Sequence, residues 1–218
     1  MTDKLVDIGE VLVHGVLFDP KNTEASRTLN VESLYGSAQR LFDLLDERGV
    51  EYVLVGGIAM LAYVEGRNTQ DIDLIVSAAD LAKAPEIRIE QANPNFARGW
   101  FGELQVDFLF AGGNLFDMVR RDHVASKRFV NRDLPCATPE GLLLLKLFAL
   151  PSLYRQGQFA KVRTYEKDAA DLLERYHPAV EPLLDELSTH MQVSDVEELR
   201  TIVAQIEDRL ARQSKRFR

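Results

Sequence analysis

Residues 54–76 read LVGGIAMLAYVEGRNTQDIDLIV, and their pattern predicts the central part of the fold. Its apolar, β-branched ends predict two buried strands, over 52–55 and 72–76, joined by a turn and a short helix. Gly56 and Gly57 end the first strand, because glycine lets the backbone turn sharply and come close to a ligand. The stretch therefore predicts a strand–turn–helix–strand unit within a sheet.

Three aspartates mark this region as a candidate metal site. Asp71 and Asp73 are two residues apart on the second strand, so both project to the same face. A third, Asp107, lies in a later apolar run, LQVDFLF over 104–110. Such carboxylates would repel each other without a cation, and oxygen is the ligand that Mg²⁺ prefers. The pattern predicts that they hold two Mg²⁺ ions beside a nucleoside triphosphate.

Asp107 is open to more than one interpretation. As the third carboxylate it completes the metal site or acts as a base toward the acceptor, or it only helps to seat the first ion. The plain alternative is a buried acid paired with a basic residue.

The glycine turn and an arginine are candidate phosphate ligands. The N–H groups that open a helix after Gly56 and Gly57 have no partner within the helix and attract anions. Arg67, four residues before Asp71, is placed to make a charge-assisted bond to phosphate. A plain tight turn is the alternative role of the two glycines.

At this point the residues resemble a known family. The Gly-Gly turn, a helix, the pattern Arg-x-Thr-x-Asp-Ile-Asp-Leu over 67–74 and Val-Asp-Phe-Leu over 106–109 are similar to the polymerase-β-type nucleotidyltransferase superfamily. Within it the chain resembles the AbiEii-type nucleotidyltransferases, which are toxins of bacterial type IV toxin–antitoxin and abortive-infection systems. One departure is Gly57, because much of the superfamily has Gly-Ser at this turn.

Two later segments strengthen the resemblance, which covers roughly residues 35–177. They are TPEGLLLLKLFAL over 138–150 and YEKDAADLLERY over 165–176. The resemblance implies that Lys146 binds the triphosphate, and that Asp168 orients Lys146 or touches the nucleotide. The residues alone also allow a lysine whose stem packs while its amine reaches water, and an aspartate paired with a nearby base.

The resemblance also implies an activity. The protein would transfer a nucleoside monophosphate from an NTP to an acceptor hydroxyl on RNA, such as a tRNA 3′ end, as a toxin restrained by a separate antitoxin protein. Two alternatives stay open: a nucleotidyltransferase that modifies a small molecule, as the aminoglycoside nucleotidyltransferases do, or a non-catalytic regulator that keeps the fold.

The expected architecture is an α+β fold, a nucleotidyltransferase-like mixed sheet with flanking helices followed by a helical C-terminal half. We expect residues 1–135 to form the core with an N-terminal arm, residues 136–218 to form the helical domain, and the nucleotide to bind between them. The arm has a strand or docked segment over 11–18. Thr138 with Pro139 predicts the start of a helix that ends near Leu150, before Pro151. A polar loop over 19–28 and an N-cap at Asn30 precede the first clear helix.

Composition sets the remaining limits. The 218 residues are 46% hydrophobic and 28% charged, as in ordinary globular proteins. No apolar run approaches the length of a membrane span, and the acidic start MTDKLVDIGE lacks a signal-peptide pattern, so a cytoplasmic protein is expected. Cys136 is the single cysteine, which excludes an internal disulfide.

Charge leaves the question of nucleic acid open. The formal net charge of −8 does not suggest a nucleic-acid-binding protein. Basic residues nevertheless concentrate in the segments 120–132, 155–167 and 209–218. They form either a surface that guides RNA through its phosphates or ordinary solvated faces.

Overall fold

The computed structural model describes residues 5–17 and 31–216. The chain divides into two compact units, Met1–Ala137 and Thr138–Arg218. The predicted loop over 19–28 and the predicted N-cap at Asn30 lie outside the described residues. Within the part that the structure describes, no helix is both long and apolar enough to cross a membrane.

The first unit is built on a mixed sheet with flanking helices, which confirms the predicted α+β fold class. The sheet has the order β3-β4-β5-β2-β1-β7-β6. Strand β2 is parallel to β5 and β1 is parallel to β7, whereas the other neighbouring pairs are antiparallel. The strands are β1 Tyr52–Val55, β2 Asp71–Ser77, β3 Arg88–Asn93, β4 Phe96–Phe101, β5 Leu104–Ala111, β6 Val124–Arg128 and β7 Asp133–Ala137.

The helices of this unit join and flank the strands. They are α1 Ile8–Leu17, α2 Val31–Glu47, α3 Gly56–Leu61, α4 Ala78–Leu81 and α5 Leu115–Asp122. The short helix that was expected after Gly57 begins at Gly56 itself and ends at Leu61. Alternation along β2 buries Ile72 and Leu74 completely, while the aspartates on either side of Ile72 stay partly exposed.

The second unit is helical, with α6 Pro139–Arg155, α7 Phe159–Tyr176, α8 Val180–Ser188 and α9 Val193–Arg216. The N-cap at Thr138 is confirmed, because its side chain accepts a hydrogen bond from the backbone N–H of Gly141 at 3.3 Å. The expected end of this helix near Leu150 is wrong, since α6 continues through Pro151. Proline removes one backbone donor, but Leu147, Leu150 and Pro151 are all buried, so packing holds this last part of the helix.

Two features of the first unit differ from the prediction made from the sequence. A strand or a docked segment was expected over 11–18, but residues 11–17 lie in helix α1, whose buried residues include Ile8 and Leu12, one helical turn apart, so the strand is wrong. The docked alternative agrees with the packing of α1 on α2. Strands β6 and β7 were not predicted. Strand β7 contains Pro135, and a proline argues against a strand, while β6 lies at the edge of the sheet and has no fully buried side chain.

Helix α1 lies against the rest of the unit through two glycines. A Cβ atom added at Gly9 would lie 2.3 Å from the ring of Tyr35 on α2. A Cβ atom added at Gly15 would lie 2.0 Å from the backbone oxygen of Thr69, two residues before Asp71. The absence of a side chain at these positions lets α1 approach the segment that enters β2.

We expect Gly15→Ala to lower the free energy of unfolding by about 2 kcal/mol, because the added methyl group overpacks a contact with backbone. Gly36→Ala on α2 is the matched control. Its Cβ atom meets only the side chain of Arg40, at 3.2 Å or more, so the gain in helix propensity should raise stability by up to about 1 kcal/mol. Urea unfolding followed by circular dichroism measures both changes. A stabilising effect of both substitutions would show that α1 does not pack closely on Thr69.

Candidate active site

The three aspartates meet on neighbouring strands. Asp71 and Asp73 lie on β2, and Asp107 lies directly beside Asp73 on the parallel strand β5. Paired residues on adjacent strands point to the same face of a sheet, so the carboxylates converge. One oxygen from each of the three lies within 4.8 Å of the other two. Asp107 is only 6% exposed, whereas Asp71 and Asp73 are partly open to solvent.

The glycine turn lies directly against this cluster. Strand β1 is antiparallel to β2, and its last residue Val55 pairs with Asp73. Gly56 follows with a φ of +65°, a backbone conformation that L side chains rarely adopt. A Cβ atom at Gly56 would lie 1.8 Å from Oδ2 of Asp73. Gly56 is therefore required both for the turn and for the space that the Asp73 carboxylate occupies.

Thr69 connects the turn to the first aspartate. Its hydroxyl donates a hydrogen bond to Oδ1 of Asp71 at 2.9 Å, and the residue is only 8% exposed. A Cβ atom at Gly57 would lie 2.4 Å from the same hydroxyl oxygen. Gly57 thus gives Thr69 the room to reach Asp71.

Gln105 bridges two members of the cluster. Its side-chain amide donates to Oδ2 of Asp71 at 3.5 Å and to Oδ1 of Asp107 at 3.4 Å, which are long hydrogen bonds. Sequence reasoning missed this residue, although a usable signal exists. Gln105 precedes Asp107 by two positions on one strand, so both side chains lie on the same face.

Arg98 is the most important residue that sequence reasoning missed. It lies opposite Asp107 in the antiparallel pair of β4 and β5. Its Nε donates to Oδ1 of Asp107 at 2.8 Å, and its Nη2 donates to Oδ2 at 2.6 Å. These bonds are the largest cause that raises the pKa of the Arg98 guanidinium, and the negative charges of Asp71 and Asp73 raise it further. The alternative interpretation of Asp107, a buried acid paired with a base, thus describes a contact that the structure contains.

Arg67 lies in the loop that connects α3 to β2, four residues before Asp71. Its side chain is partly buried, and the Nε atom of its guanidinium is shielded from solvent. Its proposed contact with phosphate stays a prediction.

Lys146 and Asp168 form a separate ion pair within the second unit. The Nζ atom of Lys146 on α6 lies 3.1 Å from Oδ2 of Asp168 on α7, and both side chains are almost fully buried. The ammonium of Lys146 also lies 4.2 Å from the centre of the Tyr165 ring, a cation–π distance. Of the contacts that the sequence allowed Asp168, the structure contains the one with Lys146. Asp171 instead pairs with Lys167 near the surface at 2.5 Å.

Two solved structures share the fold described above. The solution structure of the antibiotic-resistance factor ANT(2'')-Ia has a TM-score of 0.52 and 13% identity, covering 83% of this chain and 96% of its own. The crystal structure of an antigenic nucleotidyltransferase-like protein from Paracoccidioides brasiliensis has a TM-score of 0.53 and 16% identity, covering 78% of this chain and 87% of its own. No family model matches the sequence, and no curated protein does. The chain therefore has a nucleotidyltransferase-like fold, which leaves its acceptor open.

We expect Gly56→Ala to destabilise the protein much more than Gly66→Ala. Both glycines have positive φ values, of 65° and 77°, so both substitutions strain the backbone by about 1 kcal/mol. Only the methyl group at Gly56 would collide with Asp73, whereas a Cβ atom at Gly66 meets nothing within 4 Å. The difference should reach about 2 kcal/mol in urea unfolding. Equal decreases in the free energy of unfolding for the two variants would mean that Gly56 is not in close contact with Asp73.

The buried pair generates a second prediction. Asp168→Leu should lower the free energy of unfolding by about 3–5 kcal/mol, because it leaves the ammonium of Lys146 buried without its counter-charge. Adding Lys146→Met should recover most of this loss, since an apolar pair of similar size needs no partner charge. Asp171→Leu on the same helix is the control and should cost less than about 1 kcal/mol. Equal unfolding free energies for Asp168→Leu and Asp171→Leu would contradict the importance of the buried pair.

Proposed function

We propose that this protein is a magnesium-dependent nucleotidyltransferase that moves a nucleoside monophosphate from an NTP to an acceptor hydroxyl. In this reaction the acceptor oxygen forms a bond to the α-phosphorus, the bond from that phosphorus to the bridging oxygen breaks, and pyrophosphate leaves. The nucleotidyltransferase-like fold of the two solved structures supports the class of reaction.

One observation carries the proposal: the oxygens of Asp71, Asp73 and Asp107 gather within 4.8 Å beside a glycine turn. Three like charges at this separation repel each other unless cations or donors neutralise them. Asp71 and Asp73 remain partly accessible to solvent, so a cation and its substrate could reach them. A divalent cation bound there would neutralise charges that the hydrogen-bond donors of the site leave in place.

The donor set fits magnesium. It consists of hard carboxylate oxygens, and Mg²⁺ characteristically binds through one or two carboxylates together with substrate phosphates. Asp71 and Asp73 would hold two ions, with Asp107 completing the site. When bound, magnesium supplies positive charge that stabilises the phosphate oxygens during displacement.

The chain's own residues orient these ligands. Thr69 holds the Asp71 carboxylate from one side, and Gln105 contacts it from the other at 3.5 Å. Gly56 leaves the space in which the Asp73 carboxylate lies. We assign phosphate binding to the turn at Gly56 and Gly57 and to Arg67, whose guanidinium suits a charge-assisted bond.

Lys146 and Asp168 enter the proposal through the family resemblance. That resemblance implies a lysine on the triphosphate and an aspartate that orients it. The ion pair between the two residues supports the orienting role of Asp168.

For the acceptor we propose RNA, such as a tRNA 3′ end, and for the protein the role of a toxin restrained by an antitoxin, on the family resemblance. A small-molecule acceptor is the second candidate, because one of the two solved structures is that of an antibiotic-resistance factor. The ion pairs of the segment 120–132 favour this second candidate, since its arginines are paired with acids of the same unit. These pairs are Arg120 with Glu51 at 2.7 Å, Arg121 with Asp122 at 2.6 Å, Arg128 with Asp133 at 3.1 Å and Arg132 with Asp43 at 2.5 Å.

A labelling experiment separates these functions. The purified protein is incubated with magnesium and each α-labelled NTP in turn, together with either bulk RNA or a panel of aminoglycosides. The RNA proposal predicts label on RNA, and the second candidate predicts label on the aminoglycosides only. A non-catalytic regulator would leave both acceptors unlabelled.

Asp73→Asn tests whether the activity arises at the aspartates. The change removes one ligand charge at nearly constant size, so labelling should fall by at least about 10³-fold, equivalent to the several kcal/mol that metal ions contribute to catalysis. Asp208→Asn, an exposed residue of α9, is the matched control and should keep full activity. Full labelling by a folded Asp73→Asn variant would overturn the proposed site.

A further inference from the structure

The proposed metal site already contains a positive charge. Arg98 engages both oxygens of Asp107 in a two-point contact, with donor–acceptor distances of 2.8 and 2.6 Å. Such paired contacts are among the stronger side-chain interactions, because the planar guanidinium matches the carboxylate in shape and charge. The Asp107 side chain is 8% exposed, so one partner of this contact is well shielded from water.

This contact offsets the repulsion within the cluster. A buried carboxylate beside two others is unfavourable, because low local polarity strengthens the interaction of like charges. The guanidinium of Arg98 neutralises one of the three charges. The uncharged amide of Gln105 donates a further hydrogen bond to Oδ1 of Asp107 at 3.4 Å. The carboxylates can therefore stay together before any cation is present.

A divalent cation held by all three aspartates needs an oxygen of Asp107. The guanidinium occupies that carboxylate from the β4 side, and two positive groups at one carboxylate repel each other. Each thus lowers the affinity of Asp107 for the other, and such coupling acts equally in both directions.

The guanidinium of Arg98 also has an alternative environment next to the Asp107 contact. Its side chain is 34% exposed, and its guanidinium carbon lies 5.7 Å from the centre of the Phe96 ring on the same strand. A cation–π contact of this kind, together with water, can accommodate the charge when the bond to Asp107 is weakened.

We propose that Arg98 is a built-in counter-ion, which holds Asp107 in the cluster before metal binds and competes with the divalent cation for that carboxylate. The inference rests on the proposed function, because it assumes that the three aspartates form a metal centre. Arg98 is a positioning residue in this scheme. It sets how strongly the empty cluster attracts Mg²⁺, and it limits binding of the cation in the absence of substrate.

Magnesium binding without nucleotide tests the idea. Isothermal titration and thermal unfolding are measured with MgCl₂ alone for the wild type, Arg98→Gln, Arg98→Lys and Asp73→Asn. Arg98→Gln should bind Mg²⁺ about tenfold more tightly than the wild type, within the range usual for coupled sites. Its melting temperature should be lower than that of the wild type without magnesium and should rise more when magnesium is added.

Two variants make the result specific. Arg98→Lys keeps the charge but loses the two-point contact, so its Mg²⁺ dissociation constant should lie between those of the wild type and Arg98→Gln. It also keeps the proposal testable if Arg98→Gln does not fold. Arg88→Gln is the matched control, because Arg88 is exposed on the neighbouring strand β3, and it should bind Mg²⁺ like the wild type.

The outcomes separate this proposal from the proposed function. Unchanged or weaker Mg²⁺ binding by Arg98→Gln, with binding still lost in Asp73→Asn, overturns the counter-ion and leaves the metal centre intact. Equal, measurable Mg²⁺ binding by the wild type and Asp73→Asn, or no binding by the wild type, Arg98→Lys and Arg98→Gln alike, overturns the metal centre and the counter-ion together.

Discussion

The repulsion among three carboxylates determines which other side chains the candidate site must contain. Asp71, Asp73 and Asp107 bring oxygens within 4.8 Å of one another, and one of the three side chains is buried. At about 4 Å, two unit charges interact by roughly 1 kcal/mol in water and about 4 kcal/mol in the environment near a protein surface. A fold that assembles such a cluster must supply donors and charge to hold it. Thr69, Gln105 and Arg98 do so.

The order of the sheet explains how those donors arrive. Parallel neighbours cannot be joined by a tight turn, so the chain must leave β2 and return before it can form β5 beside it. The intervening segment contains β3 and β4, and β4 pairs with β5 on its far side. The segment that connects the parallel strands β2 and β5 thus also places Arg98 next to Asp107. On the other side of β2, strand β1 ends at the glycine turn, which leaves room for Asp73.

The sequence predicts those parts of the site that depend on local periodicity. The common face of Asp71 and Asp73 follows from the two-residue repeat of one strand, and the turn follows from adjacent glycines. The contact of Arg98 with Asp107 could also have been predicted from the sequence. A hairpin that turns at Gly102 pairs Phe101 with Leu104, and counting back three residues on one strand and forward three on the other places Arg98 opposite Asp107.

Other parts were out of reach because they depend on packing between distant segments. Nothing in the spacing shows that β2 and β5 lie side by side, so Asp107 was grouped with the other two aspartates because it is a carboxylate in an apolar run, not because its position could be predicted. The contact of Gly15 with the backbone of Thr69 also joins segments far apart in the chain. The helical conformation of α1 was missed, and a strand or docked segment was expected there, because β-branched residues outweighed its helical repeat. Strands β6 and β7 were hidden by a proline and by exposed polar side chains.

The acceptor is a separate question, because one fold can serve several chemistries. RNA and a cationic small molecule make opposite electrostatic demands on the protein. The arginines of the segment 120–132 are paired with acids, and the formal net charge is −8. The phosphates of an RNA acceptor would therefore have to replace those acids as partners of the arginines. Surface ion pairs contribute at most about 1 kcal/mol each, so such an exchange is feasible, and its strength would fall steeply with added salt. The described charges therefore permit RNA binding without favouring it, and the preference for RNA rests on the family resemblance rather than on the surface.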